Sequence, residues 1–401
     1  MNTPAVRPRW ATVAMLGVAQ TLAWASSYYL PAILAAPMAR DLGLRTPLVF
    51  AAFSLALVVA ALVGPASGRA IDRHGGRPVL MLASGVFALG LLSLGLAQGP
   101  WSMLAAWALL GMAMGAGLYE GGFATLVRLY GHDARNAITG ITLIAGFAST
   151  VGWPLSAWLD AHVGWRGACF AWAALHLLLG LPLNAWLPRA PPPATTAPAV
   201  ATPQAAAPAA PQRPALTAAL LAYAFAATWF VSTAMATHLP QLLQAAGATL
   251  AVAVAAGALV GPAQVAGRLL EFGVLRHAQA LLSARLAALA HPLGAAALLL
   301  AGAPAVWPFV LLHGAGNGIM TIAKGTLPLQ LFGPHRYGAL QGWITLPARV
   351  AQAAAPFLFG LALQRWGVGA LWLSGALCLS GFVALWLLPQ ARPAALARTA
   401  P

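Results

Sequence analysis

Twelve runs of mostly apolar residues, each about as long as a bilayer-crossing helix of ~20 residues, follow one another along this chain. They cover 10 to 36, 47 to 70, 78 to 98, 101 to 128, 136 to 159, 166 to 187, 216 to 238, 249 to 271, 279 to 301, 305 to 328, 338 to 363 and 367 to 389, with charge, Pro or Gly in the gaps. In lipid every backbone N–H and C=O must find a partner within the protein, which leaves helices or closed barrels. Barrels show short alternating segments, so these runs predict helices. Only 7% of the residues are charged and 61% are hydrophobic, too little polar surface to cover the chain in water. The expectation is an all-α integral membrane protein with twelve transmembrane helices.

The net charge of +15 does not point to nucleic acid, because the basic residues sit in the short gaps and not on one polar face. Four of the 21 Lys and Arg residues, Arg40, Arg45, Arg166 and Arg365, fall on one side of the predicted membrane, and Lys324 and Arg349 lie within spans. The remaining fifteen lie on the side of the termini, and the positive-inside rule makes that side the cytoplasm of a bacterial inner membrane. Arg7 and Arg9 precede the first run, but the run exceeds the ~7 to 15 residues of a signal peptide and predicts an uncleaved span. Cys169 and Cys378 each lie inside an apolar run, as small packing residues without a metal-ligand spacing.

The chain repeats itself. Ala61 to Ala66 reads ALVGPA, as does Ala258 to Ala263; Gly68-Arg69 with Asp72 is answered by Gly267-Arg268 with Glu271. Tyr130-Gly131 and Phe332-Gly333 close the fourth span of each set, and Pro154 and Pro356 are expected to interrupt the fifth. Between the sets lies a Pro- and Ala-rich tract that reads as an extended linker. The predicted organisation is therefore a six-helix bundle over 1–188, a cytoplasmic linker over 189–214 and a pseudo-symmetric six-helix bundle over 215–401. Repeated halves of this kind are the frame of alternating-access carriers.

The loop after the second run reads Gly68-Arg-Ala-Ile-Asp72-Arg73-His-Gly75-Gly76-Arg77. An aspartate at a membrane helix end needs a partner, which Arg73 and Arg77 can supply, while Gly75 and Gly76 permit a tight turn. This loop resembles the signature of the major facilitator superfamily, Gly-x-x-x-Asp-Arg/Lys-x-Gly-Arg/Lys-Arg/Lys, departing from it at Gly76, where a basic residue is expected. The resemblance implies that the loop latches the two halves in one access state; Arg268 and Glu271, which stand at the repeat position of Asp72, are expected to form the latch pair of the second half and not a substrate contact. Gly164-Trp165-Arg166 also resembles a common feature of that family. The fifth span, with Gly140, Gly146, Gly152 and Pro154, is similar to its antiporter Gly-Pro motif, except that Leu155 and Ser156 replace a glycine pair.

A charged group deep in a span needs a reason to be there. Glu120 lies eight residues, ~12 Å, before Arg128 at the end of the fourth span. Unless a cation pairs with it, it is placed to exchange a proton as access alternates. Arg349 lies on a polar stripe with Gln341, Thr345 and Gln352, and Lys324 on another with His313, Asn317 and Thr321, both at helical spacing. Lys324, the only lysine, has two readings: a cavity residue or a side chain reaching the headgroups. Trp24 and Tyr28 share a face with Gln20 and Ser27, and Trp229 one with Thr228, Ser232 and Thr233. The family resemblance implies that spans one, four, seven and ten line a central cavity, which would make Trp24, Tyr28, Glu120, Trp229, His313, Asn317 and Lys324 substrate or ion ligands, with Thr345 and Arg349 beside them.

The expected function is secondary active transport of a small solute, coupled to protons, by a functional monomer and without a cofactor. No nucleotide-hydrolysis loop occurs in the sequence. Two cations against one carboxylate favour an anionic, zwitterionic or neutral polar solute, and proton-driven export of an aromatic compound or drug is the second reading. A membrane enzyme would need a catalytic cluster at usable spacing, and a transporter-like sensor an added domain for which the stretch after Leu388 leaves no room.

Overall fold

The computed structural model describes residues 8–190, 211–275 and 279–388. The expectations placed on Arg7, on 191–210 of the linker and on the stretch after Leu388 lie outside the described residues. The first half runs Arg9–Ser26 (α1), Leu30–Asp41 (α2), Thr46–His74 (α3), Gly76–Gly95 (α4), Pro100–Gly117 (α5), Tyr119–Tyr130 (α6), Arg135–Ala145 (α7), Ala148–Leu175 (α8) and Leu181–Ala185 (α9). The second runs Pro214–Ala245 (α10), Leu250–Gly273 (α11), Ala280–Ala301 (α12), Val306–Phe332 (α13), Tyr337–Trp366 (α14) and Ala370–Trp386 (α15). Helix occupies all twelve predicted runs. Among the described residues, eight helical stretches are long and apolar enough to cross a membrane. Two of them, Pro100–Ala185 and Tyr337–Trp386, have 86 and 50 residues and turn at glycines such as Gly164 and Gly367.

Several runs are broken where continuous helices were expected. The first divides at Ser27 to Tyr29, because the Ser26 and Ser27 hydroxyls donate back to the carbonyls of Leu22 and Ala23 and Pro31 restarts the chain as α2. The fourth divides at Leu118, which is extended (ψ −165°), in a segment with Gly115, Gly117, Gly121 and Gly122 around it. Pro154 and Pro356 do not interrupt the fifth spans: α8 and α14 run through them, and the break falls at Gly146 and Phe147, between α7 and α8. One missing hydrogen bond inside a packed membrane helix is tolerated by its neighbours.

Buried apolar side chains form one cluster within residues 16–187, joined by Leu329 and Tyr337, and two within residues 221–388. The halves meet most closely where α3 crosses α14. There Gly64 and Gly68 face Gly338 and Gly342, so both helices present a Gly-x-x-x-Gly stripe. A Cβ on Gly68 would fall on the carbonyl of Gly338, and one on Gly342 would come within 2.6 Å of Pro65 Cα. Without a hydrophobic drive in lipid, such close backbone approach supplies the packing. The symmetry-related meeting is α11 against α7. Substituting Gly68→Val is expected to separate α3 from α14, costing ~1–3 kcal/mol for overpacking. Spin labels at the facing ends of the two helices would report this as a lengthened distance distribution; an unchanged distribution would show that the crossing tolerates a side chain.

Candidate functional site

The break at Leu118 starts a new helix, and Glu120 stands in its first turn, where the helix dipole favours a carboxylate. Glu120 is buried and takes a cation on each oxygen. Lys324 Nζ of α13 donates to Oε1 at 2.5 Å, and Arg349 Nη2 of α14 donates to Oε2 at 3.0 Å. One carboxylate of the first half thus holds two cations of the second, and the three groups carry one net positive charge. Lys324 is 3% exposed, which rules out the headgroup reading in this conformation.

Aromatic and amide groups close around the triad. Lys324 Nζ lies 4.6 Å from the Trp229 ring centre, and the Arg349 guanidinium 5.9 Å from that of Trp24. Trp24 packs on Tyr28 and Tyr119, and its indole N–H is buried without a partner among the described residues. Gln352 accepts from Arg349 Nη1 and donates to the Tyr28 and Thr233 hydroxyls at 3.2 and 3.3 Å, a further junction between halves. Thr345 donates to the Gln341 carbonyl, and Gln341 to that of Lys324, fixing α14 against α13. Beside the triad, Ala60, Gly64, Gly342, Thr345 and Arg349 line a small cavity with room for about one water. All three charged groups of the triad are buried in this conformation.

His313 and Asn317 stand apart from the triad. They line a second cavity with Thr228, Ser232 and His291, and His313 Nδ1 lies 3.0 Å from His291 Nδ1. His291, on α12, and Tyr119 are the participants that sequence reading missed; each looked like an isolated polar or aromatic residue within an apolar run.

The loop residues occupy the end of the α3–α14 crossing. Asp72 accepts from the backbone N–H groups of Gly338 and Ala339, both at 2.8 Å, so a carboxylate of one half caps the first turn of a helix in the other. Arg73 and Arg77 form no ion pair with it among the described residues; the α14 backbone fills both oxygens. Gly75 ends α3 at φ 80°, which favours glycine. The departure at Gly76 has a steric cause: a Cβ there would fall on the Thr125 side chain of α6. Arg268 and Glu271 do not pair with each other as expected. Each reaches across to α7, Arg268 Nη1 donating to the Thr142 carbonyl at 3.1 Å and Glu271 pairing with Arg135 at 3.1 Å. At the opposite ends of the first-half helices, Arg166 joins Asp41 at 2.9 Å and donates to the carbonyls of Gly95 and Ala97.

The sequence profile of the Major Facilitator Superfamily matches residues 16–356. The chain belongs to that superfamily. A gallate transporter of Pseudomonas putida is 31% identical over 156 residues, 38% of this chain and 34% of the relative. An uncharacterized 38 kDa protein in a 23S RNA operon of Thermoproteus tenax is 32% identical over 154 residues, 38% of this chain and 40% of the relative. The chain thus spans between a third and two fifths of the curated relatives it matches. Two solved structures share the fold: the human organic anion transporter MFSD10 (TETRAN), with TM-score 0.72, 16% identity and coverage of 94% and 100% of the two chains, and the proton:xylose symporter XylE bound to 6-bromo-6-deoxy-D-glucose, with 0.75, 12%, 95% and 97%. The superfamily fold is thus a multi-pass membrane fold of two related halves, here with a buried ion triad between them.

Removing a buried carboxylate strands both cations, whereas removing one cation leaves a balanced pair. Glu120→Gln is therefore expected to lose ~3–5 kcal/mol and Lys324→Met far less. Thermal unfolding of the purified variants in one lipid environment checks this; equal losses would mean that the two cations do not share the charge.

Proposed function

We propose that this chain is a secondary active transporter that moves a small organic anion across the bacterial inner membrane by alternating access, coupled to protons. The observation that carries the reading is the shared carboxylate: Glu120 alone answers both Lys324 and Arg349 where the halves meet. A solute carboxylate entering there brings the second anion and gives each cation its own partner. A proton on Glu120 would release both cations to the solute, which links anion and proton occupancy through one residue. The triad also holds α6 to α13 and α14, so its opening bears directly on the separation of the halves.

The names of similar proteins support this reading. One relative is a gallate transporter, and gallate is an aromatic carboxylate; among solved structures of the same fold, one is an organic anion transporter and one a proton symporter. The Trp24 and Trp229 faces suit a flat ring. In the accompanying topology both termini are cytoplasmic, 1–188 and 215–401 are the two rocking halves joined by 189–214, and one monomer contains a whole site. The Asp72 and Arg268–Glu271 latches then lie on the cytoplasmic side. Their engagement makes this the conformation closed to the cytoplasm.

The test is transport in proteoliposomes under a pH gradient imposed in each orientation. Labelled gallate is expected to accumulate against its own gradient in one orientation and its methyl ester in neither. Arg349→Gln, which removes a charged hydrogen bond of ~1.5–3 kcal/mol, should raise the half-saturating gallate concentration at least tenfold. Transport of ester and acid at equal rates would overturn the anion reading.

A further inference from the structure

In the first half the ALVGPA hexapeptide, Ala61 to Ala66, passes beside Glu120, and its Ala61 and Gly64 line the small cavity there. Pro65 sits inside α3 and has no N–H, so it cannot donate to the Ala61 carbonyl four residues back. Ala61 is buried, out of reach of bulk water, and a carbonyl freed there needs another donor. Gly64, Gly115 of α5 and Gly342 of α14 add three bare backbone positions to the wall. A Cβ on Gly115 would come within 2.7 Å of the Ala60 carbonyl oxygen, and one on Gly342 within 2.6 Å of Pro65 Cα. On Gly64 it would meet only Gly342, at 3.9 Å, an ordinary contact. At this glycine the missing side chain leaves space and not merely close packing.

The polar groups around this space suit a water molecule. Arg349 uses two of its five N–H groups on Glu120 and Gln352. Thr345 Oγ1 donates to the Gln341 carbonyl and keeps a lone pair, and each Glu120 oxygen has a second lone pair beyond the one its cation takes. A water here has a donor in Arg349 and acceptors in Glu120, Thr345 and Ala61, all buried, which meets the two to four partners that an internal water needs. The cavity reaches the triad from the side of α3 and α5. It touches Glu120 and Arg349 but not Lys324, nor the Trp24 and Trp229 rings that border the two cations elsewhere. Along α3, Asp72 stands eight residues, ~12 Å, beyond Gly64. Between them the backbones of Gly68 and Gly338 meet with no room for a Cβ, and so none for a water at that point.

We propose that this cavity holds the water that hands a proton to Glu120, by a route separate from that of the solute. This rests on the reading of Glu120 as the proton site and adds the path. One O–H bond of the water breaks as its proton bonds to a Glu120 oxygen. The next water outward returns a proton to it, so that one proton moves inward and the relaying water is unchanged. The α3–α14 crossing decides when that next water can arrive. While Gly68 meets Gly338 the way along the crossing is shut, and releasing Asp72 from α14 opens it, which ties proton entry to the separation of the halves. Ala61 and Thr345 are positioning residues for the water, and Gly64 provides its space.

Infrared difference spectra of the protein in lipid nanodiscs, taken between neutral and acid pH with and without gallate, test the assignment. A carboxyl band that is absent in Glu120→Gln is expected to rise with acid, and with it a water O–H band that shifts in heavy-oxygen water. In Gly64→Ala the added methyl takes the place of the water. The O–H band should then vanish, and gallate-dependent proton flux in proteoliposomes should slow at least about tenfold, the loss of a positioned proton relay. Exchange of labelled against unlabelled gallate at equal pH should stay close to wild type in that variant, because the crossing still packs. The isotope shift is read in wild type and decides the matter even if Gly64→Ala does not fold. A Glu120 band with no isotope-sensitive water band, or undiminished proton flux in Gly64→Ala, would overturn the water route and leave proton binding at Glu120 standing. If no Glu120 band rose under either condition, the proton reading itself would fall, and the route with it.

Discussion

A single carboxylate, Glu120, taken out of water and divided between two cations of the other half, is the constraint on which the rest of this structure depends. Burying three charges in a membrane protein is tolerable only if the partners are held in place. The chain break at Leu118 gives Glu120 a helix N-terminus, and the glycine crossing of α3 and α14 brings Arg349 close enough to reach it. Gln341 and Gln352 tie the α14 stripe to α13, α10 and α1. Each of these features brings a distant segment or a chain break to the same carboxylate, and together they leave the triad with one net positive charge.

Asp72, Arg268 and Glu271 join the two halves by other means. Asp72 caps the backbone of α14, a contact between a carboxylate and two peptide N–H groups that depends on helix geometry and not on a particular side chain opposite. Glu271 instead meets the Arg135 side chain, and Arg268 a carbonyl of α7. The two halves thus repeat in position but differ in bond type. Separating α3 from α14 uncaps a helix, whereas separating α11 from α7 breaks an ion pair. The glycine stripes concentrate the first event at Gly68 and Gly338, where no side chain can follow the backbone apart.

Much of this was legible in the sequence because lipid enforces it. Run lengths gave the helices, the ALVGPA repeat and the Gly68 to Arg77 loop pointed to related halves, and the cost of charge in a span singled out Glu120, Lys324 and Arg349. Helical spacing put Gln341, Thr345, Arg349 and Gln352 on one face, and the structure places that face inward. The partners were not legible, because they lie on distant segments: 204 positions separate Glu120 from Lys324 and 229 separate it from Arg349. For the same reason Asp72 seemed to belong with its neighbours Arg73 and Arg77, although it caps α14. His313 looked like a cavity residue from its stripe, but only the fold brought His291 and Ser374 to it. The Gly64, Gly68, Gly338 and Gly342 spacing was visible in the sequence and is the signal that would have located the crossing.

The central claim is that anion movement and proton movement meet at Glu120. It is tested most directly by comparing wild type and Glu120→Gln in proteoliposomes, for exchange of labelled against unlabelled gallate at equal pH and for accumulation driven by a pH gradient. The account predicts that the variant keeps exchange and loses accumulation, with no gallate-dependent proton flux at a pH-sensitive dye. Gradient-driven accumulation of gallate by Glu120→Gln at the wild-type level would contradict it.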